Sequence, residues 1–293
     1  MTSLSLKITA LILMTIDHIG AFILGTPILF RWLGRLSAPI FFFCCAWSMD
    51  FTRNRKKYMT RLYLANVVMG TMNYLFSVFS NINVDNNILR TLFLMTVLIY
   101  IYDTTRNNTR KRVLLFSAFF LIEIVLSGIM FYLTYIEVLD STFVMQCLSS
   151  MLGLFLGLES SPFIVLGLGI YIWKEDKRKF QIWYIVFCVL FSLFGFLQII
   201  PRINLRTDDV YFSILATIAN DLGLTVFYTH IDISYFFLKN FQWLMIFALP
   251  LMSLFYRKKD KYQKPKKRWK YFFYLYYPIH LYILGFIGTV LVQ

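Results

Sequence analysis

"LKITALILMTIDHIGAFIL" occupies Leu6 to Leu24. As a helix it is long and apolar enough to cross a bilayer, because about 20 apolar residues span the hydrocarbon at 1.5 Å per residue. Yet it carries Lys7 near one end and the pair Asp17-His18 near its middle. A charge at the centre of a membrane helix costs on the order of 2.5–3.5 kcal/mol on insertion scales, so such residues are read first as functional candidates. Lys7 and His18 are eleven residues apart. At about 100° and 1.5 Å per residue they share a face, about 16 Å apart along the axis. Asp17 points about 100° away, towards a neighbouring helix or a wet cavity. There a cation such as Arg35 would offset its cost.

The rest of the chain repeats the pattern. Of 293 residues, 59% are hydrophobic and 15% charged, against about 25% charged in soluble domains. The mean hydropathy is +0.65. Apolar runs of near-spanning length recur, and the alternating ten-residue segments of an outer-membrane barrel are missing. The fold class is therefore an all-α polytopic integral membrane protein. Helices are expected at roughly 7–29, 36–51, 60–80, 88–102, 113–136, 142–173, 180–200, 234–256 and 271–291.

The formal net charge is +14, but 23 of the 29 Lys and Arg residues fall at Lys7 or in four short clusters: 53–61, 106–112, 174–179 and 257–270. Short basic loops beside helix ends stay in the cytoplasm and attract anionic lipid. This placement explains the charge without a nucleic-acid partner. Keeping every cluster inside gives a cytoplasmic N-terminus and nine crossings. Two stretches strain that count. The run 142–173 is too long for one span and contains Glu159-Ser-Ser-Pro162. The run 210–232 is apolar, but a crossing there would export the most basic loop. Each is read as a broken or re-entrant segment, which membrane proteins tolerate only where protein or a wet cavity surrounds it. If these runs do cross, the total is ten or eleven. Neither repeats nor linkers divide the chain, so 1–293 is read as a single transmembrane domain.

The four cysteines all lie in apolar runs, which is neither a disulfide framework nor a metal motif. The first helix lacks a small-x-small cleavage site and is expected to remain in the mature protein. Three widely separated histidines with no cysteine partners make no zinc site, so no metal is expected. Phosphate-loop and dinucleotide glycine motifs are absent.

Several blocks, taken in order, resemble one family. "KITALILMTIDHIG" is similar to the opening of the TraX family, and Lys7 with His18 fits the K/R-x10-H pattern of the wider acyltransferase-3-like transmembrane acyltransferases. "LGRLSAPIFFF" (Leu33 to Phe43) resembles the family's Gly-Arg-x-x-Phe-Pro-x-Phe entry to its second helix, with Ala38 where many relatives have Phe. "TRNRKKYMTRL" (Thr52 to Leu62) resembles its basic loop. "NNILRTLFL" (Asn86 to Leu94) resembles its Asn-Ile-Leu-Phe segment, with Arg90 in place of Phe. "KYFFYLYYPIHLYILG" (Lys270 to Gly285) resembles its closing Phe-Tyr-x-x-His helix.

The resemblance implies a single acyltransferase-like domain in the bacterial cytoplasmic membrane. Its implied activity is transfer of an acetyl group from cytosolic acetyl-CoA to an acceptor, favoured as an amine on an exported or membrane-associated peptide. Lys7, Arg53, Arg55, Lys56, Lys57 and Arg61 would hold the phosphates as charge-assisted partners. His18 would act as a base towards the acceptor or carry the acetyl group itself. Asp17 would orient an imidazole or bind a cationic amine, and Arg35 would pair with Asp17 or stabilise an oxyanion. His280, three residues after Tyr277, would join the site with it. Each residue also has a structural reading: a polar pair between helices for Asp17 and His18, an interfacial arginine for Arg35, a packing hydrogen bond for His280. His230 beside Asp232 reads as an exposed or interfacial histidine. Rival functions are O-acetylation of a cell-envelope glycan, a transporter with a polar core, and a non-enzymatic membrane subunit of a secretion machine. A transporter would be expected to show internal repeats, and none is present.

Overall fold

Helix α1 (Ser3–Phe22) starts on a reciprocal cap. The Thr2 hydroxyl accepts the Ser5 N–H at 3.2 Å and the Ser5 hydroxyl accepts the Thr2 N–H at 3.0 Å. Two donors that a helix start leaves orphaned are thereby satisfied. The helix ends at Phe22, not at residue 29. Gly25 follows at a φ of +78° and Pro27 comes next. The turn they make separates α1 from a short α2 (Leu29–Gly34), which leads directly into α3 (Ser37–Phe51).

The computed structural model describes residues 2–80, 87–155, 161–197, 241–256 and 267–292. The remaining helices are α4 (Arg55–Ser80), α5 (Ile88–Thr104), α6 (Thr109–Tyr135), α7 (Ser149–Leu152), α8 (Pro162–Trp173), α9 (Lys177–Leu197), α10 (Ala248–Tyr256) and α11 (Lys267–Val292). No strand occurs among the described residues. Five stretches are long and apolar enough to cross a membrane: Ser3–Phe22, Leu29–Phe51, Arg55–Ser80, Thr109–Tyr135 and Tyr271–Leu291. The chain is an all-α polytopic membrane protein.

The expected helix 142–173 is broken. Phe143–Leu148 is a π-helical stretch, α7 adds one turn, and Gly153 turns the chain at a φ of +69° before α8 begins at Pro162. Left-handed backbone suits glycine because it has no Cβ. Glu159 and Ser160 lie outside the described residues, as do the apolar run 210–232, His230, Asp232 and the basic loop 257–266. Helix α11 starts at Lys267 and not at residue 271. Pro278 is therefore well inside the helix.

The described residues form two compact units. The first holds 2–47, 169–197, 241–256 and 267–292. Its core is aromatic: Phe43 meets Phe180 and Phe255 at 5.4 Å each, Trp47 meets Phe255 at 5.2 Å, and Tyr184 donates to the Met245 carbonyl at 2.5 Å. Offset rings of this kind add to plain burial. Helices α1 and α11 pack side by side at three levels. Thr15 meets Tyr276, His18 meets His280, and Gly288 lies against the Phe22 carbonyl so closely that a Cβ there would overlap it. Residue numbers rise together along both helices, so they run parallel.

The second unit holds 48–80, 87–155 and 161–168. Here side chains bind the broken segment. Asn66 donates to the Ser150 carbonyl at 2.8 Å, and Tyr63 donates to the Met151 carbonyl at 2.7 Å. Arg90, itself buried, donates to Ser149 and to the Met145 carbonyl. Asn87 caps α5 and donates to Asn66 at 2.9 Å. From α6, the Glu123 carboxylate accepts the Phe155 N–H at 3.0 Å. Backbone groups exposed by a helix break must find partners where water is absent, and these residues supply them.

Candidate functional site

The first unit gathers Asp17, His18, Arg35, Tyr277 and His280, the residues that the sequence marked as candidates. His18 Nδ1 lies 2.7 Å from His280 Nε2, and the two rings stack with centroids 4.9 Å apart. Both rings are buried. His280 Nδ1 lies 2.8 Å from the Tyr276 carbonyl. A carbonyl only accepts, so that nitrogen carries a proton. In a neutral ring the other nitrogen then accepts, and His18 Nδ1–H donates to it. The proton order of the pair follows: in neutral His18 the lone pair sits on Nε2.

Asp17 leaves α1 on another side. Arg35 Nη2 reaches its two oxygens at 2.7 and 2.6 Å. Arg31 Nη1 lies 2.9 Å from Oδ1 and also donates to the Asp17 carbonyl at 3.2 Å. The two arginines are one turn apart, Arg31 on α2 and Arg35 at its C-cap, and both guanidinium groups face the Phe241 ring, at 5.9 and 5.3 Å. Gly34 makes the approach possible: a Cβ there would fall on the Asp17 side chain. The carboxylate therefore anchors α2 to α1 one residue before His18.

Several participants were not named from sequence, Arg31 and Tyr276 chief among them. Arg31 precedes Arg35 by four residues, the spacing that puts both on one helix face. Tyr276 precedes His280 by the same spacing. Its ring stacks on His280 at 5.0 Å and 15°, and its hydroxyl lies 2.8 Å from that of Thr15. Tyr277 is buried, with its ring 5.9 Å from His280 and tilted by 57°. Helical spacing of four was the available signal in both cases.

The candidate phosphate-binding cations divide between the units. Lys7 lies on α1 in the first unit, within electrostatic reach of Cys44. Arg53, Arg55, Lys56, Lys57 and Arg61 lie in the second. Arg53, Lys56 and Lys57 are exposed. Arg55 is engaged: it pairs with Asp103, lies 3.8 Å from Asp50 and donates to the Met49 carbonyl at 3.0 Å. Arg61 faces the Tyr58 ring, and its Nε is buried with no hydrogen-bond partner among the described residues. Among the described residues, no group of three or more His, Cys, Asp or Glu stands together as a metal site.

The model of the family described as TraX protein matches residues 3–156. No curated protein and no solved structure matches the chain.

Proposed function

We infer the activity from one premise: the chain belongs to the TraX family, whose model covers more than half of it and which is associated with acetylation of pilin. The protein is a membrane-bound acetyltransferase of the bacterial cytoplasmic membrane. It moves an acetyl group from cytosolic acetyl-CoA to an amine on an exported or membrane-associated peptide. The observation that carries this reading is the buried His18–His280 pair, 2.7 Å apart and ordered by the Tyr276 carbonyl.

His18 Nε2 is the general base. It takes the proton of the acceptor nitrogen as that nitrogen bonds to the thioester carbonyl carbon. The C–S bond then breaks, and the departing sulfur takes the proton from His18. The products are an amide and a thiol. His280 Nε2 accepts the His18 Nδ1 proton throughout, which holds the ring in one tautomer and stabilises its cationic form, the part a carboxylate plays in a hydrolase triad. Asp17, Arg31 and Arg35 position α1 on α2. In the second unit the exposed cations Arg53, Lys56 and Lys57, together with the buried Nε of Arg61, which has no hydrogen-bond partner among the described residues, suit an anionic nucleotide; in the first unit Lys7 on α1 is a point charge of the kind that suits a phosphate. Arg55 shapes that loop through Asp103.

The test uses purified protein in lipid nanodiscs with labelled acetyl-CoA and two acceptors, a peptide amine and a cell-envelope glycan. Label should move to the peptide, and His18→Ala should lower the rate by about 10²–10⁴-fold, the usual worth of a general base. Transfer by His18→Ala at the wild-type rate would remove the base. Label on the glycan alone would change the acceptor to a hydroxyl. Absence of any transfer or hydrolysis would return the chain to the non-enzymatic readings.

A further inference from the structure

Tyr276 touches the histidine pair in three ways at once. Its carbonyl accepts from His280 Nδ1 at 2.8 Å. Its ring lies nearly parallel to the His280 imidazole, at 5.0 Å and 15°. Its hydroxyl meets Thr15 Oγ1 at 2.8 Å. The direction of that last bond is fixed. The Thr15 hydroxyl has one proton and donates it to the Leu11 carbonyl at 2.9 Å. Tyr276 must therefore donate, and Thr15 accepts.

Two polar rungs thus join α1 to α11. Thr15 precedes His18 by three residues and Tyr276 precedes His280 by four. Each rung runs in one sense only, from α11 to α1 at Tyr276 and from α1 to α11 at His18. A rotation or slide of α11 that spoiled the lower rung would also lengthen the 2.7 Å bond above it and tilt the stacked ring. Side-chain hydrogen bonds between membrane helices add only modestly to stability. That is little for holding a helix in place, but a misplacement of about 1 Å can change a rate by about 10²-fold.

We propose that Tyr276, through Thr15, is a positioning residue: it sets the register of α11 on α1 and the plane of His280, and so fixes which His18 nitrogen bears the lone pair. The role in turnover rests on the acetyltransferase reading above; the effect on the imidazoles does not.

The experiment therefore has two arms, both on the full-length chain in nanodiscs. The first is nitrogen NMR of labelled histidine. The chain has three histidines, so a His230→Gln background leaves only the pair. Wild type should give one set of resonances, each ring with one protonated and one unprotonated nitrogen. Tyr276→Phe and Thr15→Val should each shift or average those resonances, and Thr15→Ser, which keeps the hydroxyl, should restore them. The second arm measures transfer. Each of the two variants should lower kcat by about three- to thirty-fold, within the range that sub-ångström misplacement allows. KM for acetyl-CoA should stay unchanged, and the double variant should be no worse than the poorer single one, because both remove the same rung. Wild-type resonances in folded Tyr276→Phe and Thr15→Val would overturn the proposal. So would shifted resonances with wild-type kcat, or multiplying losses in the double variant. If the resonances shift as expected while even wild type transfers nothing, the positioning stands and the acetyltransferase reading falls.

Discussion

Asp17 is the most exacting residue of the chain. It is buried in a membrane helix, and two guanidinium groups hold it. Removing one partner of a buried ion pair leaves an uncompensated charge, which costs about 3–5 kcal/mol. Asp17→Ala is expected to lower the unfolding free energy in detergent by an amount of that order. Arg35→Ala should lower it less, since Arg31 keeps its own bond to the carboxylate; equal losses would mean that Arg31 contributes nothing. The Asp17–Arg35 pairing was legible in the sequence, because a lone carboxylate at that depth demands a cation and Gly34-Arg35 offered one. The second arginine was not singled out: its spacing of four from Arg35 was there to read, but residues 30–35 fell between the expected helices. The same holds for Tyr276: Tyr277 at a spacing of three was visible as a neighbour of His280, whereas the stacked ring came at a spacing of four. Lys7 makes a different prediction. It lies about 16 Å from His18 along the axis, so on the proposed reading its part is with a distant, anionic portion of the donor. Lys7→Ala should raise KM for acetyl-CoA and leave kcat nearly intact, the pattern of lost uniform binding. Lys7→Arg should keep most of the activity, and added salt should narrow the gap. An unchanged KM would make Lys7 an orientation signal only.

Helix ends carry the next level of information. The interruption within 142–173 was legible from length alone, since one span cannot hold so many residues. Its place was not, because the sequence drew attention to Pro162 whereas the chain already turns at Gly153, after a π-helical stretch. Gly153→Ala should lower stability by about 1–2 kcal/mol, the cost of a Cβ in left-handed backbone; the unfolding midpoint measures it, and a neutral result would mean that the turn relaxes. At the other end of this region, Asp176 caps α9. Its carboxylate accepts the N–H groups of Lys179 at 3.1 Å and Arg178 at 3.0 Å, with the Lys179 ammonium at 3.5 Å. The Lys179 N–H above all, then Arg178 and the Lys179 charge, hold this carboxyl below its usual range. A lowered folded value means that the cap's contribution is complete above the unfolded value, near 3.9, and is lost as pH falls through the lowered one. The stability gap between wild type and Asp176→Ala should thus be flat at neutral pH and close only in strong acid. A gap that closed near pH 6 would point to another group.

At the scale of the whole molecule, composition was enough to read a helical membrane protein, and the ordered blocks were enough to read its family. What composition could not give was that the first and last described helices meet. That fact needs contacts between residues 262 positions apart, and no local pattern carries them. Because α1 and α11 run parallel, they cross the membrane in the same direction, and the number of crossings from the first to the last is odd. Nine or eleven fit; ten does not. Cysteines introduced at Thr2 and Val292 should label from opposite faces, and labelling of both from one face would refute the parallel packing. The parallel pair has a further consequence, for synthesis. Thr15, Asp17 and His18 enter the bilayer with the first helix, whereas Tyr276 and His280 emerge 261 and 262 residues later. At about 5–20 residues per second, His18 waits roughly 13–50 s for the ring that orders its protons. On the proposed mechanism a chain that stops before α11 has His18 without the ring that orders its protons, and it should be inactive. The proposed centre thus comes into being only once α11 has joined α1.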